Sequence, residues 1–310
     1  MESLITLAAG RFTAGVSPQL GGALAWFGLA DDSALDFVRP ASARAFAERN
    51  VRLTSSYPLV PYSNRIGNGA FNFGGEHCIL RRNSTVWTHA IHGVGWLRAW
   101  TIAAVGPESV SLALTHVSRD SRGGGDPDWP WSFAAAQTFA LDAAGLHMTL
   151  AVTNQDSRPM PAGIGMHPFF PKTPRMELQF EAAAVWRNDE RMLPQERAAV
   201  PPEWNFAARR PAAGLAVDNC FAGWSRTAVL AWPERGWGLR LAASEPFGHL
   251  VVFTSLARES IAIEPVSHAN NAVNLAAGRG DTGLVVLAPG ETLSGSCTMT
   301  PFPLESTDEH

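Results

Sequence analysis

Apolar and polar residues alternate along several long stretches of this chain. Val110, Leu112 and Leu114 share one side of an extended segment, with Ser111, Ala113 and Thr115 opposite. The rule repeats at Phe133, Ala135, Gln137, Phe139 and Leu141. It returns at Leu146, Met148, Leu150 and Val152, set against His147, Thr149, Ala151 and Thr153. A period of two over such runs predicts half-buried antiparallel strands. Residues 3–50 read as short strands and turns, with Leu20-Gly21-Gly22 turning into Ala23–Leu29 and a brief helical or loop segment over Ala41–Arg49. Residues 176–240 are rich in strands and turns, and Pro201-Pro202 and Pro211 interrupt any helix. Near the end, Val285–Leu287 leads through a turn at Ala288–Glu291 to a return strand over Thr292–Thr300. The 28 glycines and 22 prolines are spread along the chain, as turns require. The fold expected is all-β: a large antiparallel β-sandwich with little helix. It is expected as a single domain over 1–310, with 301–310 a frayed polar tail. Large β-sandwiches reach this length as one domain.

Composition narrows the function. The chain is 46% hydrophobic and 17% charged, which suits a globular protein with a sizeable core. A net charge of −4 leaves no footprint for nucleic acid or an anionic membrane. Cys78, Cys220 and Cys297 are far apart, and no C-x-x-C pattern exists. A disulfide framework is not expected, and a reducing, cytoplasmic setting fits. The run Leu4–Ala9 is broken by Gly10 and Arg11, so it lacks the charge pattern and length of a signal peptide. No apolar run is long enough to span a bilayer.

Three stretches carry candidate chemistry. In Pro161–Pro171, His167 follows Gly165 and precedes Pro168, Phe169 and Phe170. Pro168 biases it toward extended backbone, so the imidazole is held on a stiff loop beside aromatic faces. That suits proton transfer or sugar contact, although a lone loop histidine is more often structural. In Tyr57–Ile66, two prolines exclude a strand centre, so Asn64 and Arg65 are expected in a rigid loop. An arginine fork beside an amide suits hydroxyl or carboxylate recognition, or ties down loop carbonyls. In Ser260–Pro265, Ile261 and Ile263 share a face, so Ala262 and Glu264 point the other way. Pro265 should end that strand, leaving a carboxylate at a cleft or in solvent. The polar segment Val266–Leu275 is expected to fold over that cleft. Asp218 follows an apolar trio and could accept from two hydroxyls or cap its own turn. Trp129 and Trp131 are candidates for a pocket edge. His89-x-x-His92 invites a metal reading, but no closed ligand set accompanies it. Gly123–Gly125 lacks the features of a phosphate loop.

Taken together, five motifs resemble the aldose 1-epimerase (galactose mutarotase-like) family. They are Pro61-Tyr-Ser-Asn-Arg-Ile66; Asn83 with Ile91-His-Gly93; Gly165-Met-His-Pro-Phe-Phe170; Val217-Asp-Asn-Cys-Phe221; and Ile263-Glu-Pro265. They occur in the family's order from about Leu20 to Thr300. The resemblance implies a galactose mutarotase-like supersandwich that interconverts the α and β anomers of a free hexose. It implies Glu264 as base and His167 as acid. His92 joins them in the catalytic group and helps orient the sugar, while Arg65, Asp218 and Asn64 bind it. One departure is Asn219, where the family pattern carries a second acidic residue, and this bears on which sugar is read.

Ring opening removes the proton of the anomeric hydroxyl while the ring oxygen gains one. A carboxylate and an imidazole suit those two tasks, the histidine with a modest upward pKa shift. No cofactor, metal, nucleic acid or membrane partner is expected, only a small sugar; the oligomeric state stays open. Three alternatives remain. One is a hexose-6-phosphate 1-epimerase, with Arg81, Arg82, Arg119 and Arg122 as candidate phosphate cations. The others are a sugar-binding or regulatory sandwich without catalysis, and a metal hydrolase using His89, His92 and His167.

Overall fold

The alternating segments of the sequence become neighbouring strands. In the computed structural model, residues 4–31, 35–84, 88–119, 126–275 and 282–305 are described. Arg122 and Gly123–Gly125 lie outside these residues, as do 306–310. Ser109–His116, Phe133–Asp142 and Gly145–Asn154 pair antiparallel in sequence order. Their inward rows are buried, from Val110 and Leu112 to Leu150 and Val152. Gln137 is the polar member of those rows, and its Nε2 donates to the Gly22 carbonyl at 2.7 Å. That bond meets the cost of burying an amide.

The sheet continues through Thr292–Pro303, Trp237–Ala243, Val217–Trp232, His249–Thr254 and Ser260–Val266, all antiparallel. Pairing of Trp237 with Pro303 carries the last strand past Thr300. Chain expected to fray from Pro301 is therefore held at least that far. A meander of Ile5–Ala9, Phe12–Ser17 and Ala23–Leu29 adds a three-stranded sheet to the same core. Among the described residues, helix is confined to Ala43–Ala47, capped by Ser42, and short 3-10 turns.

The strand Val217–Trp232 joins the two halves of the core. Its first part pairs with His249–Thr254 and its last with Trp237–Ala243. Between them Gly223 takes φ +64, where a side chain would be strained and a Cβ would press within 2.9 Å of Ala183. The bend lets one strand serve two packing directions.

The site-bearing region follows from alternation. Val217, Phe221, Leu250, Val252, Ile261 and Ile263 belong to the main core. The opposite face carries Cys220, Ala222, Val251, Ala262 and Val266, which pack under Tyr57, Trp96 and Phe169. Glu264 lies on this second face, as its spacing from the isoleucines requires. Pro265 does not end the strand, which runs to Val266. Ile263 and Ser267 donate backbone N–H groups to Pro168 and Ile164. Pro265, midway between them, faces the break between Gly165–Met166 and Phe169–Pro171, where no ladder bond is needed. That break is His167.

Candidate active site

His167 and Glu264 meet directly. Nε2 of His167 lies 3.2 Å from Oε1 of Glu264, and both side chains are almost wholly buried. The His167 N–H donates to the Tyr57 carbonyl at 3.1 Å, and Phe169 N donates to Ser55 at 2.8 Å. The imidazole packs against Phe169 at 4.5 Å and Tyr57 at 4.6 Å between ring centroids. This fixes the ring without supplying charge.

Burial decides the protonation of the pair. It holds the His167 pKa below the ordinary histidine value, with the charges of Arg39, Arg52 and Arg258 adding to the effect. The expected upward shift of His167 is thus reversed, because an imidazolium is poorly solvated here. Burial likewise raises Glu264 well above the carboxylate range, helped by Asp218 and opposed by Arg65. Both groups favour their neutral forms, so burial biases the pair toward holding one proton between them.

His92 stands beside them, its ring 5.3 Å from that of His167. Its Nδ1 accepts from the Asn64 N–H at 3.1 Å, and the His92 backbone N–H donates to the Asn64 carbonyl at 2.9 Å. A ring nitrogen that accepts carries no proton, so the hydrogen of neutral His92 is on Nε2. Burial keeps the ring neutral. His92 is therefore a fixed donor and a poor acid. Both partners take left-handed backbone, φ 62 at His92 and φ 55 at Asn64. Asn83 clamps this turn: its Nδ2 donates to the Ile91 and Gly93 carbonyls, and its Oδ1 accepts from Ile91 N. Gly93 is required, since a Cβ there would collide with the Val60 carbonyl.

Arg65 begins a two-residue strand with Ile66 against Ala90–Ile91, more ordered than the loop expected. Its Nη2 donates to Asp218 Oδ2 at 3.0 Å, and its Nη1 to Asn64 Oδ1 at 3.1 Å. The bidentate reach of the guanidinium holds carboxylate and amide in one plane of recognition.

All six nominated residues line one cavity of about 430 Å³. That lies within the range of small-molecule clefts, roughly 300–1,000 Å³. The cavity also contains Arg39, Asn50, Arg52, Tyr57, Phe253 and Arg258, which sequence reasoning missed. Tyr57 opened a quoted stretch and Phe253 closed the apolar run Leu250–Phe253, both without a role, and the others sit in segments with no readable pattern.

Several expectations fail here for clear reasons. Trp129 and Trp131 are fully buried and stack with Phe71, so they edge no pocket. Residues 266–270 are buried as well and do not cover the cleft. Two of their side chains are spent inside: Ser267 Oγ accepts from Ile164 N, and His268 Nε2 from Ser63 N. His89 uses Nδ1 to accept from Asn68 N and Nε2 to donate to the Arg191 carbonyl, outside the cavity. Among the described residues no three metal-ligating side chains gather. Asn219 faces away from the cavity and donates to the Trp186 carbonyl at 2.7 Å. Arg81, Arg82 and Arg119 do not line the cavity; Arg81 pairs with Asp128 instead.

The fold and site define a class: a β-sandwich whose cavity sets a buried carboxylate against a buried imidazole among hydrogen-bonding side chains. The chain belongs to the aldose 1-epimerase family, whose model matches residues 3–300. It is similar to YphB of Escherichia coli K12, itself uncharacterised, with 31% identity over 253 residues, 79% of this chain and 83% of YphB. A crystal structure from Escherichia coli K12, provisionally assigned as an aldose 1-epimerase, gives a TM-score of 0.86 at 28% identity. That likeness covers 97% of this chain and 99% of the other. A galactose mutarotase-like protein of Clostridium acetobutylicum gives 0.85 at 20% identity, covering 97% and 95%, and so shares the fold. Family membership implies an isomerase acting on sugars. No helix among the described residues is long and apolar enough to cross a membrane.

Proposed function

We propose that this protein is an aldose 1-epimerase that interconverts α and β anomers, with Glu264 as base and His167 as acid. The 3.2 Å contact of His167 and Glu264 inside the cavity carries the reading. O1 and O5 of a pyranose share one carbon, so a base and an acid serving them must be close neighbours. Glu264 Oε2 has no partner within the protein. An anomeric hydroxyl donating to it stabilises the carboxylate and shifts the shared proton to His167. Glu264 then takes the O1 proton while His167 protonates O5. The C1–O5 bond breaks and C1=O1 forms. This leaves the neutral pair that burial favours. Rotation about C1–C2 and the reverse transfers close the ring on either face. Arg65, Asp218, Asn64 and the Nε2–H of His92 orient the hydroxyls. The reading includes a reducing, cytoplasmic setting in which the three cysteines stay thiols.

Magnetisation-transfer NMR on an equilibrated hexose tests this. Faster exchange between the two H1 signals is expected with protein present, and an unchanged exchange rate for every aldose tried contradicts it.

The pH profile is set by the pair. The active form holds one proton. Adding a second charges the buried His167, whose pKa lies below 6.5. Losing the last one ionises Glu264, whose pKa lies above 4.5. The acid limb of kcat/KM therefore falls below pH 6.5. An acid limb centred at 6.5 would assign the acid to an ordinary solvated histidine.

His92→Ala removes one neutral donor. It should raise KM and lower kcat, with kcat/KM falling about five- to tenfold, the worth of a hydrogen bond near ~1 kcal/mol. An effect as large as that of Glu264 would move His92 into the proton transfer.

A further inference from the structure

The cavity holds more positive charge than a neutral sugar needs. Arg39, Arg52, Arg65 and Arg258 all line it. Arg65 is satisfied by Asp218, and Glu264 by His167. Among the described residues no carboxylate pairs with Arg39, Arg52 or Arg258. Arg39 is anchored by Nη2, which donates to the carbonyls of Arg52 at 2.8 Å and Thr54 at 2.6 Å. Its buried Nε meets no acceptor. The other two are held by aromatic faces alone, Arg52 over Trp96 at 5.0 Å and Arg258 over Phe253 at 4.4 Å. Arg39 lies over Phe169 at 3.9 Å. Stacking fixes a guanidinium but leaves its in-plane N–H groups to bind something else.

We propose that the substrate is an anionic sugar, and that Arg39, Arg52 and Arg258 form a subsite for a phosphate, sulfonate or carboxylate carried on the carbon remote from C1. The inference rests on the mutarotase reading and adds the substrate class. Placement supports it. Phe253, which carries Arg258, pairs with Ala262, two residues from Glu264 on the same face. That separation is roughly 7 Å along a strand, the reach of one pyranose ring with its exocyclic substituent. Chemistry supports it too. The same three arginines disfavour charge on His167. An anion among them offsets that repulsion and lets His167 take the shared proton when substrate is bound. A neutral hexose leaves the repulsion in place.

The test compares anomerisation of D-glucose with D-glucose 6-phosphate, 6-deoxy-6-sulfo-D-glucose and D-glucuronate, using wild-type protein and the Arg52→Gln/Arg258→Gln variant. These arginines make no hydrogen bond that the fold depends on; Arg39 is left intact because its carbonyl bonds brace the loop. At least one anionic sugar should exceed glucose in kcat/KM by at least about tenfold for each arginine engaged. The ratio should fall by about 100-fold in the double variant. The anion that ranks first identifies the substituent. Inorganic phosphate or sulfate should also inhibit the wild type competitively, a readout that needs no variant. Glucose handled as well as every anion, or a ratio that the variant leaves unchanged, overturns the inference while the mutarotase reading stands. If no sugar is accelerated, the mutarotase reading fails, and calorimetry decides the subsite separately. Binding of an anionic sugar lost in the double variant upholds it, and no binding ends it.

Discussion

Glu264→Gln is expected to lower kcat by about 10²–10⁴-fold, the usual worth of a positioned proton-transfer group. The substitution keeps volume and removes only the capacity to take a proton. Glu264 is 2% exposed and touches His167, so no water stands ready to replace it. KM should change little, because the hydroxyls are held by Arg65, Asp218, Asn64 and His92. The fold should also survive. Burial already favours the neutral carboxylic acid, and glutamine resembles that form. A variant with near wild-type turnover would remove Glu264 from the mechanism.

His167→Asn should be equally costly. Asparagine cannot donate a proton to O5, and it also strips Glu264 of the partner that accepts the shared proton. The carboxyl, alone in a buried site, then stays protonated and cannot act as base. One substitution thus disables both halves, and a loss of about 10²–10⁴-fold in kcat is expected. The double variant Glu264→Gln/His167→Asn should lose little beyond either single one, since groups that act as a unit are not additive. Multiplying effects in stopped-flow or polarimetric rates would show that the two residues work independently.

Alternation made the strands readable, and at Ile261–Glu264 it also made the site readable. Two isoleucines on one face leave a carboxylate on the other whatever the sheet's topology. The motif around His167 was legible for a similar reason, because Pro168 restricts the backbone of His167 locally. Pro265 misled because the rule against proline assumes an unbroken neighbouring strand, and here the neighbour is interrupted at His167. The segment 266–270 misled because Ser267 and His268 serve buried backbone groups, which composition alone cannot distinguish from exposure. Arg39, Arg52 and Arg258 carried no signal at all. Arg258 is far in sequence from Arg39 and Arg52, and only the loop bonds around Thr54 and the hairpin after Phe253 bring the three to one cavity. The arginines that clustered in sequence, such as Arg81 and Arg82, stay outside it.

The His167–Glu264 pair is expected to open and reclose a sugar ring. The most direct measurement is polarimetry on freshly dissolved α-D-glucose, α-D-galactose and α-D-glucose 6-phosphate, with wild-type protein and with Glu264→Gln. At least one sugar should reach its equilibrium rotation faster with the wild type, and the variant should return it to the uncatalysed rate. Equal rates with and without protein for all three, or a variant as fast as the wild type, would contradict it.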